Sequence, residues 1–134
     1  MTYQIEFKYT KDHEYVNVKG KEAHVGLTHY AQDQLGDIVF VELAEVGRTI
    51  KQGEVYGVVE SVKAVSDCYS PVGGVVVRVN ERLLDEPDLI NKDPHGEGWM
   101  MVLEVANPSE LEGLMSADAY KALLERGDSN ELHP

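Results

Sequence analysis

Apolar residues along this chain alternate with polar ones or gather in short β-branched clusters, and glycines interrupt the clusters every few residues. His24-Val25-Gly26-Leu27 reads as a short strand, and Asp37 to Leu43 (DIVFVEL) is rich in β-branched and aromatic residues. Val46-Gly47 and Gln52-Gly53 mark turns. Val55 to Ser61 and Ala64 to Tyr69 form the arms of a hairpin. Pro71-Val72-Gly73-Gly74 then turns the chain into Val75 to Val79, and a last strand runs from Trp99 to Val105. Many short strands separated by glycine turns predict a mainly β sandwich or barrel.

Helical signals are short and peripheral. Thr28 is placed to cap a helix whose stripe is Leu27, Ala31 and Leu35 and which Gly36 ends. Asn80 is expected to cap a brief turn over Glu81 to Leu84, which Pro87 stops. Asn107-Pro108-Ser109-Glu110 offers a cap, a proline at the first helical position and a glutamate at the third. Ser116 starts a further helix, in which Ala119, Tyr120, Leu123 and Leu124 are expected to face the core and Gly127 closes the end. Residues 1–127 are thus expected to form one domain and 128–134 a polar tail. A faint echo between Thr49 to Glu54 and Leu89 to Pro94 suggests two related half-sheets.

Charge and composition narrow the function. With 134 residues the chain suits one domain, burying roughly two-thirds of its unfolded surface. A net charge of −12 argues against nucleic acid as a partner, which requires a basic face. Cys68 is the only cysteine, which excludes an internal disulfide, and the five histidines lack zinc-ligand spacing. No apolar run approaches a membrane span of about 18 residues. The opening MTYQIEFKYTKDHEYV has neither a signal-peptide core nor an arginine-rich bias, so a cytoplasmic protein is expected, or a mature form with its targeting segment removed.

One lysine stands out by position. In ESVKAVSD, from Glu60 to Asp67, Lys63 sits between the two hairpin arms. A lysine in a tight turn is ordinarily a solvated cation with a reference pKa of about 10.4. Glu60 and Asp67 favour its charged form, which speaks against a Schiff-base amine. A rigid two-residue turn, Val62-Lys63, would instead suit an enzyme that modifies the amine, because a fixed hairpin spares that enzyme the ordering entropy of a floppy loop.

Four stretches, GLTHYAQDQLGDIVFVELAEVG, GVVESVKAVSDCYSPVGG, VNERLLDEPDLINKDPHGEGWM and PSELEGLMSADAY, make the chain resemble the H proteins of glycine cleavage systems from about Tyr9 to Leu124. Biotin domains typically place methionine on both sides of their lysine, where this chain has Val62 and Ala64. The lipoyl domains of 2-oxoacid dehydrogenases usually carry aspartate directly before it, and they lack the Asp93-Pro94-His95-Gly96-Glu97-Gly98-Trp99 loop. The chain departs from the family at Tyr15, where tryptophan is common, and at Val76 and Arg78, where acidic residues are frequent and a surface change is expected.

The resemblance implies a barrel-sandwich hybrid fold with short peripheral and C-terminal helices, and a non-catalytic carrier. Lys63 would be amide-linked to lipoic acid by a lipoate ligase or lipoyltransferase. The arm would take the aminomethyl group of glycine from the pyridoxal-phosphate glycine decarboxylase (P protein) to the aminomethyltransferase (T protein). Dihydrolipoyl dehydrogenase (L protein) would reoxidise it. The resemblance also makes Glu14 and Asp67, with Asp12 beside them, the cleft that receives the loaded arm; read without it, His13-Glu14-Tyr15 is an ordinary strand segment. Cys68 is expected to be a buried small hydrophobe. Glu97 and Trp99 fit a core loop or a partner surface equally well. An H-like lipoyl protein of other use and an unmodified β-domain are the alternative readings, and a circulating carrier is expected to be monomeric.

Overall fold

A computed structural model describes Gln4 and residues 6–126; the expectations for Gly127 and the 128–134 tail lie outside the described residues. Nine strands form two antiparallel sheets among these residues. The strands are β1 (Lys8–Tyr9), β2 (Glu14–Lys19), β3 (Glu22–Leu27), β4 (Ile38–Glu42), β5 (Thr49–Ile50), β6 (Val55–Ser61), β7 (Val65–Tyr69), β8 (Gly74–Val79) and β9 (Met101–Val105). One sheet has the order β1-β2-β3-β9-β8-β5, and the other is β4-β6-β7. Val16, Val25, Val41, Val59, Cys68, Val76 and Leu103 belong to the core shared by the two sheets. The expected mainly β, barrel-sandwich architecture with peripheral helices is what the chain adopts.

The helices are α1 (His29–Leu35), α2 (Arg82–Asp85), α3 (Leu89–Lys92) and α4 (Ala117–Arg126), with a 3-10 turn at Pro108–Gly113. The Thr28 hydroxyl accepts the Ala31 N–H and so caps α1, while Gly36, at φ 79°, ends it in a conformation that costs other residues strain. Ser116 caps α4 through Ala119 N–H. Ala117, Tyr120 and Leu123 are the buried face of α4, and Ala119 is exposed, contrary to expectation. The face is set by Tyr120, whose ring stacks on Tyr9 at 4.6 Å and draws α4 onto β1. Phe7, Tyr9, Tyr15, Ala117, Tyr120 and Leu123 form a second, smaller core there.

Three other expectations change. Asn80 does not cap α2 with its side chain; its amide donates to the carbonyls of Glu97 and Trp99, each at 2.8 Å, and pins the 93–99 loop. Val76 is a core residue, 1% exposed, because it faces inward on β8, whereas Arg78 is exposed and pairs with Glu22. The echoed segments differ in structure: Thr49–Ile50 is a strand and Leu89–Lys92 a helix. The 93–99 loop remains a surface element, with Glu97 exposed and paired to Arg82, and Trp99 half-buried. No helix among the described residues is long and apolar enough to cross a membrane.

Candidate functional site

Two antiparallel hairpins show how their turn residues set the geometry. At the β2–β3 turn, Gly20 has φ 63° and supplies the left-handed residue that matches strand twist. The β6–β7 turn has no glycine, and neither Val62 nor Lys63 takes positive φ. Its order comes from Ser61 instead. The Ser61 hydroxyl accepts the N–H groups of Lys63 (3.2 Å) and Ala64 (3.0 Å), and the Ser61 N–H donates to the Ala64 carbonyl at 2.8 Å. Such a side-chain turn substitutes for the backbone bond that a primed turn would make. Ala64 is buried beneath the tip, which leaves Lys63 exposed above it.

The tip is fastened to the rest of the molecule. Val62 N–H donates to the Asp37 carbonyl at 3.1 Å, joining the hairpin to the link between α1 and β4. That link is held in turn by Asn91 on α3. Its side chain accepts from Ile38 N–H at 2.8 Å and donates to the Gly36 carbonyl at 2.9 Å. The stem of Lys63 crosses Gly36, with Cε 3.6 Å from where a Cβ would stand. Asn91 is a positioning residue that the sequence reading missed, since a polar residue in a four-residue helix carries no signal of its own. Lys63 therefore stands on a turn braced from two sides.

Pairing across β4-β6-β7 sorts the side chains around the lysine. Val41, Val59 and Ser66 form one row, with both valines in the core. The rows on either side, Phe40-Glu60-Val65 and Glu42-Val58-Asp67, face outward, because alternate residues of a strand point to opposite faces. Asp67 thus lies on the exposed face of β7, an edge strand.

Glu14 lies elsewhere, inside the protein. It opens β2 and is 1% exposed. Its Oε1 accepts the Tyr56 hydroxyl at 2.6 Å, and its carboxylate also accepts the Tyr69 N–H. Burial pushes the Glu14 carboxyl well above the ordinary range; the Tyr56 and Tyr69 hydrogen bonds oppose the rise, and the negative charge of Asp12 adds to it. Half-buried Asp12 is thereby within electrostatic range of Glu14, and Asp67 is felt at buried Cys68. Burial, then Glu14 and Asp67, push the Cys68 thiol upward, so it is no nucleophile and serves as the expected small core residue.

The backbone that delivers Glu14 is itself constrained. His13 has φ 66°, a left-handed conformation unusual for a side-chain-bearing residue. Its Nδ1 lies 2.7 Å from the Tyr120 hydroxyl, which lies 2.8 Å from Thr28 Oγ1. Thr28 N–H donates to the His13 carbonyl at 3.0 Å. The α1 cap, α4 and the loop before β2 meet at this knot. Among the described residues, no group of three or more histidine, cysteine or acidic side chains could hold a metal ion.

Glu14 makes stability depend on pH in an unusual sense. Above the ordinary carboxyl value of 4.5, the native protein keeps a proton that the unfolded chain has lost. Wild-type stability therefore falls as pH rises from 4.5 to the raised native value, and levels beyond it. Glu14→Gln keeps the shape and an acceptor for Tyr56 without the titration. The variant should match wild type below pH 4.5 and gain on it above, by up to about 1.4 kcal/mol per pH unit inside the window. Urea midpoints from pH 4 to 8 check this; a constant difference across the range contradicts it.

The family model "Glycine cleavage H-protein" matches residues 7–127. The glycine cleavage system H protein of Symbiobacterium thermophilum is 57% identical over 122 residues, covering 91% of this chain and 95% of that one. Its counterpart in Thermotoga maritima is 54% identical over 114 residues, covering 85% and 92%. The crystal structure of a glycine cleavage system H protein from Mycobacterium marinum superposes with a TM-score of 0.82 at 36% identity, covering 93% of this chain and 99% of that one. The Ser61-Val62-Lys63-Ala64 turn and the two-sheet scaffold beneath it therefore fall within a match that spans nearly all of this chain: it belongs to the glycine cleavage H-protein family.

Proposed function

We propose that Lys63 is the lipoyl attachment site through which this chain serves as the mobile carrier between the P, T and L proteins. As an H protein of the glycine cleavage system, the chain is a carrier subunit, not a catalyst. The observation that carries the assignment to Lys63 is its place: an exposed amine on a turn braced by Ser61, Asp37 and Asn91, in the middle of Glu-Ser-Val-Lys-Ala. The residues present fit a long acyl arm, since the lysine projects outward beside the exposed rows of β4-β6-β7. Acylation needs a neutral amine. The ammonium gives a proton to solvent, Nζ attacks the carbonyl carbon of an activated lipoyl donor, the bond to the activating phosphate breaks, and the second proton leaves. Bound there, the group would supply a disulfide–dithiol couple at the end of a long arm, and Lys63 would hold it.

The chain's own part is presentation and protection. Asp67 follows Lys63 by four residues, roughly 13 Å along β7. An extended lipoyl-lysine spans roughly 14 Å from its Cα, so its end reaches the Asp67 row. Glu14 lies behind this strand, hydrogen-bonded by Tyr69 at its end. A carboxyl held neutral by burial can pass its proton to an incoming amine, which leaves a carboxylate–ammonium pair and no uncompensated buried charge. In this reading Glu14 is the principal acceptor, Asp67 marks the approach and Asp12 sharpens the local negative field. The 1–127 chain acts as a single monomeric domain in the cytoplasm, alongside the enzymes it serves. The reading is tested by reconstitution. Lipoylated protein with P protein should release carbon dioxide from glycine in proportion to carrier concentration; no dependence on added carrier would refute it.

A further inference from the structure

The hairpin turn before Glu14 places a histidine where glycine would be unstrained. Thr10 to His13 close the β1–β2 hairpin: His13 N–H donates to the Thr10 carbonyl at 3.1 Å, and Thr10 N–H donates to the Glu14 carbonyl at 3.0 Å. A hairpin turn of this length ends in one left-handed residue, a position that glycine fills most easily. Histidine at φ 66° costs strain there, and its ring is what glycine would lack. The imidazole is fully buried, 4.7 Å from the Tyr30 ring of α1, with Nδ1 2.7 Å from the Tyr120 hydroxyl of α4. The segment carrying α4 is in turn fixed to β1. Tyr9 N–H donates to the Met115 carbonyl at 2.8 Å, Met115 N–H donates back at 2.9 Å, and the Tyr9 and Tyr120 rings lie 4° from parallel. The residue after His13 is Glu14, whose carboxyl end is held by Tyr56 and Tyr69. Glu14 thus has two anchors, the sheet partners at its tip and a gripped residue at its root.

We infer that Tyr120 is a positioning residue for Glu14: by holding the His13 ring, its hydroxyl keeps the turn that aims Glu14 into the protein, and α4 thereby takes part in guarding the loaded arm. The inference rests on Glu14 being the acceptor of the aminomethyl amine. Tyr120 acts on that chemistry through His13, since Glu14 follows directly from the left-handed residue. Without the hydroxyl, the turn loses the hydrogen bond that offsets its strain. Glu14 then sits less firmly in its buried place, and water reaching it weakens its hold on an ammonium. The titratable groups that face Glu14 are Asp12, Tyr15, Tyr56 and Cys68, and removing the Tyr120 hydroxyl alters none of them.

The test uses Tyr120→Phe, which keeps the ring on Tyr9, and His13→Asn, which tolerates positive φ but is too short to reach Tyr120. Ile50→Val is the control, a loss of core packing on β5 at the opposite edge of the sheet from β1. The unmodified chain is labelled for NMR at its glutamate carboxyl carbons, and the Glu14 signal, identified by its absence from Glu14→Gln, is followed against pH. Tyr120→Phe and His13→Asn should each move its titration down toward 4.5, the double variant no further than either alone, and Ile50→Val not at all. The lipoylated variants are then loaded with glycine and P protein and freed of the enzyme. Both single variants should lose the aminomethyl group about threefold faster than wild type, less than removal of the Glu14 carboxyl itself brings. An unchanged Glu14 titration in Tyr120→Phe overturns the inference, as does a shifted titration with wild-type release. So does an equal movement in Ile50→Val, which would reduce the effect to general stability, or a double variant that sums the two single shifts. Wild-type release from Glu14→Gln would refute the acceptor role of Glu14 itself, a result distinct from these because the titration is read without the arm.

Discussion

Replacing Lys63 by arginine should abolish acylation and, with it, all glycine-dependent turnover that relies on this chain. Arginine keeps the positive charge and a stem of similar length over Gly36, but its guanidinium, with a pKa above about 12, offers no neutral amine to an acyl donor. The turn should survive, because its hydrogen bonds come from Ser61 and from backbone groups. Intact mass after treatment with lipoate ligase should show one lipoyl adduct on wild type and none on the variant. Carbon dioxide release with P protein should fall to the level measured without carrier. Circular dichroism and the thermal midpoint should remain those of wild type, which separates lost chemistry from lost fold. Labelling of the arginine variant at the wild-type level would contradict the assignment.

The second large effect concerns the loaded arm. A carried aminomethyl group is lost when the nitrogen lone pair expels the thiolate, and protonation of that nitrogen blocks the step. A carboxylate beside the ammonium holds the proton, more strongly where water is excluded. Glu14 is buried and Asp67 exposed, so the two should differ. Glu14→Gln should speed spontaneous loss of formaldehyde and ammonia about tenfold, the equivalent of one pKa unit on the amine. Asp67→Asn, screened by solvent, should change it by about two- to threefold, and Asp12→Asn by less. The measurement loads acylated protein with glycine and P protein, removes the enzyme and follows release against pH. Wild-type rates in both Glu14→Gln and Asp67→Asn would leave protection to burial alone.

Much of the scaffold was legible in the sequence because local chemistry and tertiary demand agree there. Thr28 and Gly36 bound α1 as their capping preferences require. The first hairpin arm, Val55 to Ser61, is a strand over the span read for it, the second begins one residue later than read, at Val65, and Lys63 stands on the exposed turn between. Failures came where a side chain had competing partners. Asn80 has the composition of a cap, yet two carbonyls of the 93–99 loop satisfy its amide better than an exposed helix start would. Glu110 follows Asn107 by the capping-box spacing, but its Oε1 accepts the Gly73 N–H instead, 37 residues away. Val76 reads as a surface position by analogy, while its register on β8 turns it inward. Bulges at Ile38/Phe40, Val55/Gly57 and Val76/Arg78 depend on how two strands meet, which no single strand's pattern records.

The candidate site divides along the same line. Lys63 is legible because a turn lysine is local. The burial of Glu14 is not, because it follows from Tyr56, Tyr69 and the knot of His13, Thr28 and Tyr120, which come from five separate parts of the chain. A glutamate opening a strand has no sequence mark that separates a solvated carboxylate from one held neutral in a core. Its chemistry depends on tertiary placement.

The measurement that tests the central claim most directly is peptide mass mapping of the protein isolated from its own cells, where the attachment machinery is present. The peptide holding Glu60-Ser61-Val62-Lys63-Ala64 should carry the mass of one lipoyl group, fragment ions should place it on Lys63, and every other lysine-containing peptide should be unmodified. A lipoyl adduct on a different lysine, or an unmodified Lys63 peptide in cells whose other lipoyl proteins are modified, would contradict the account.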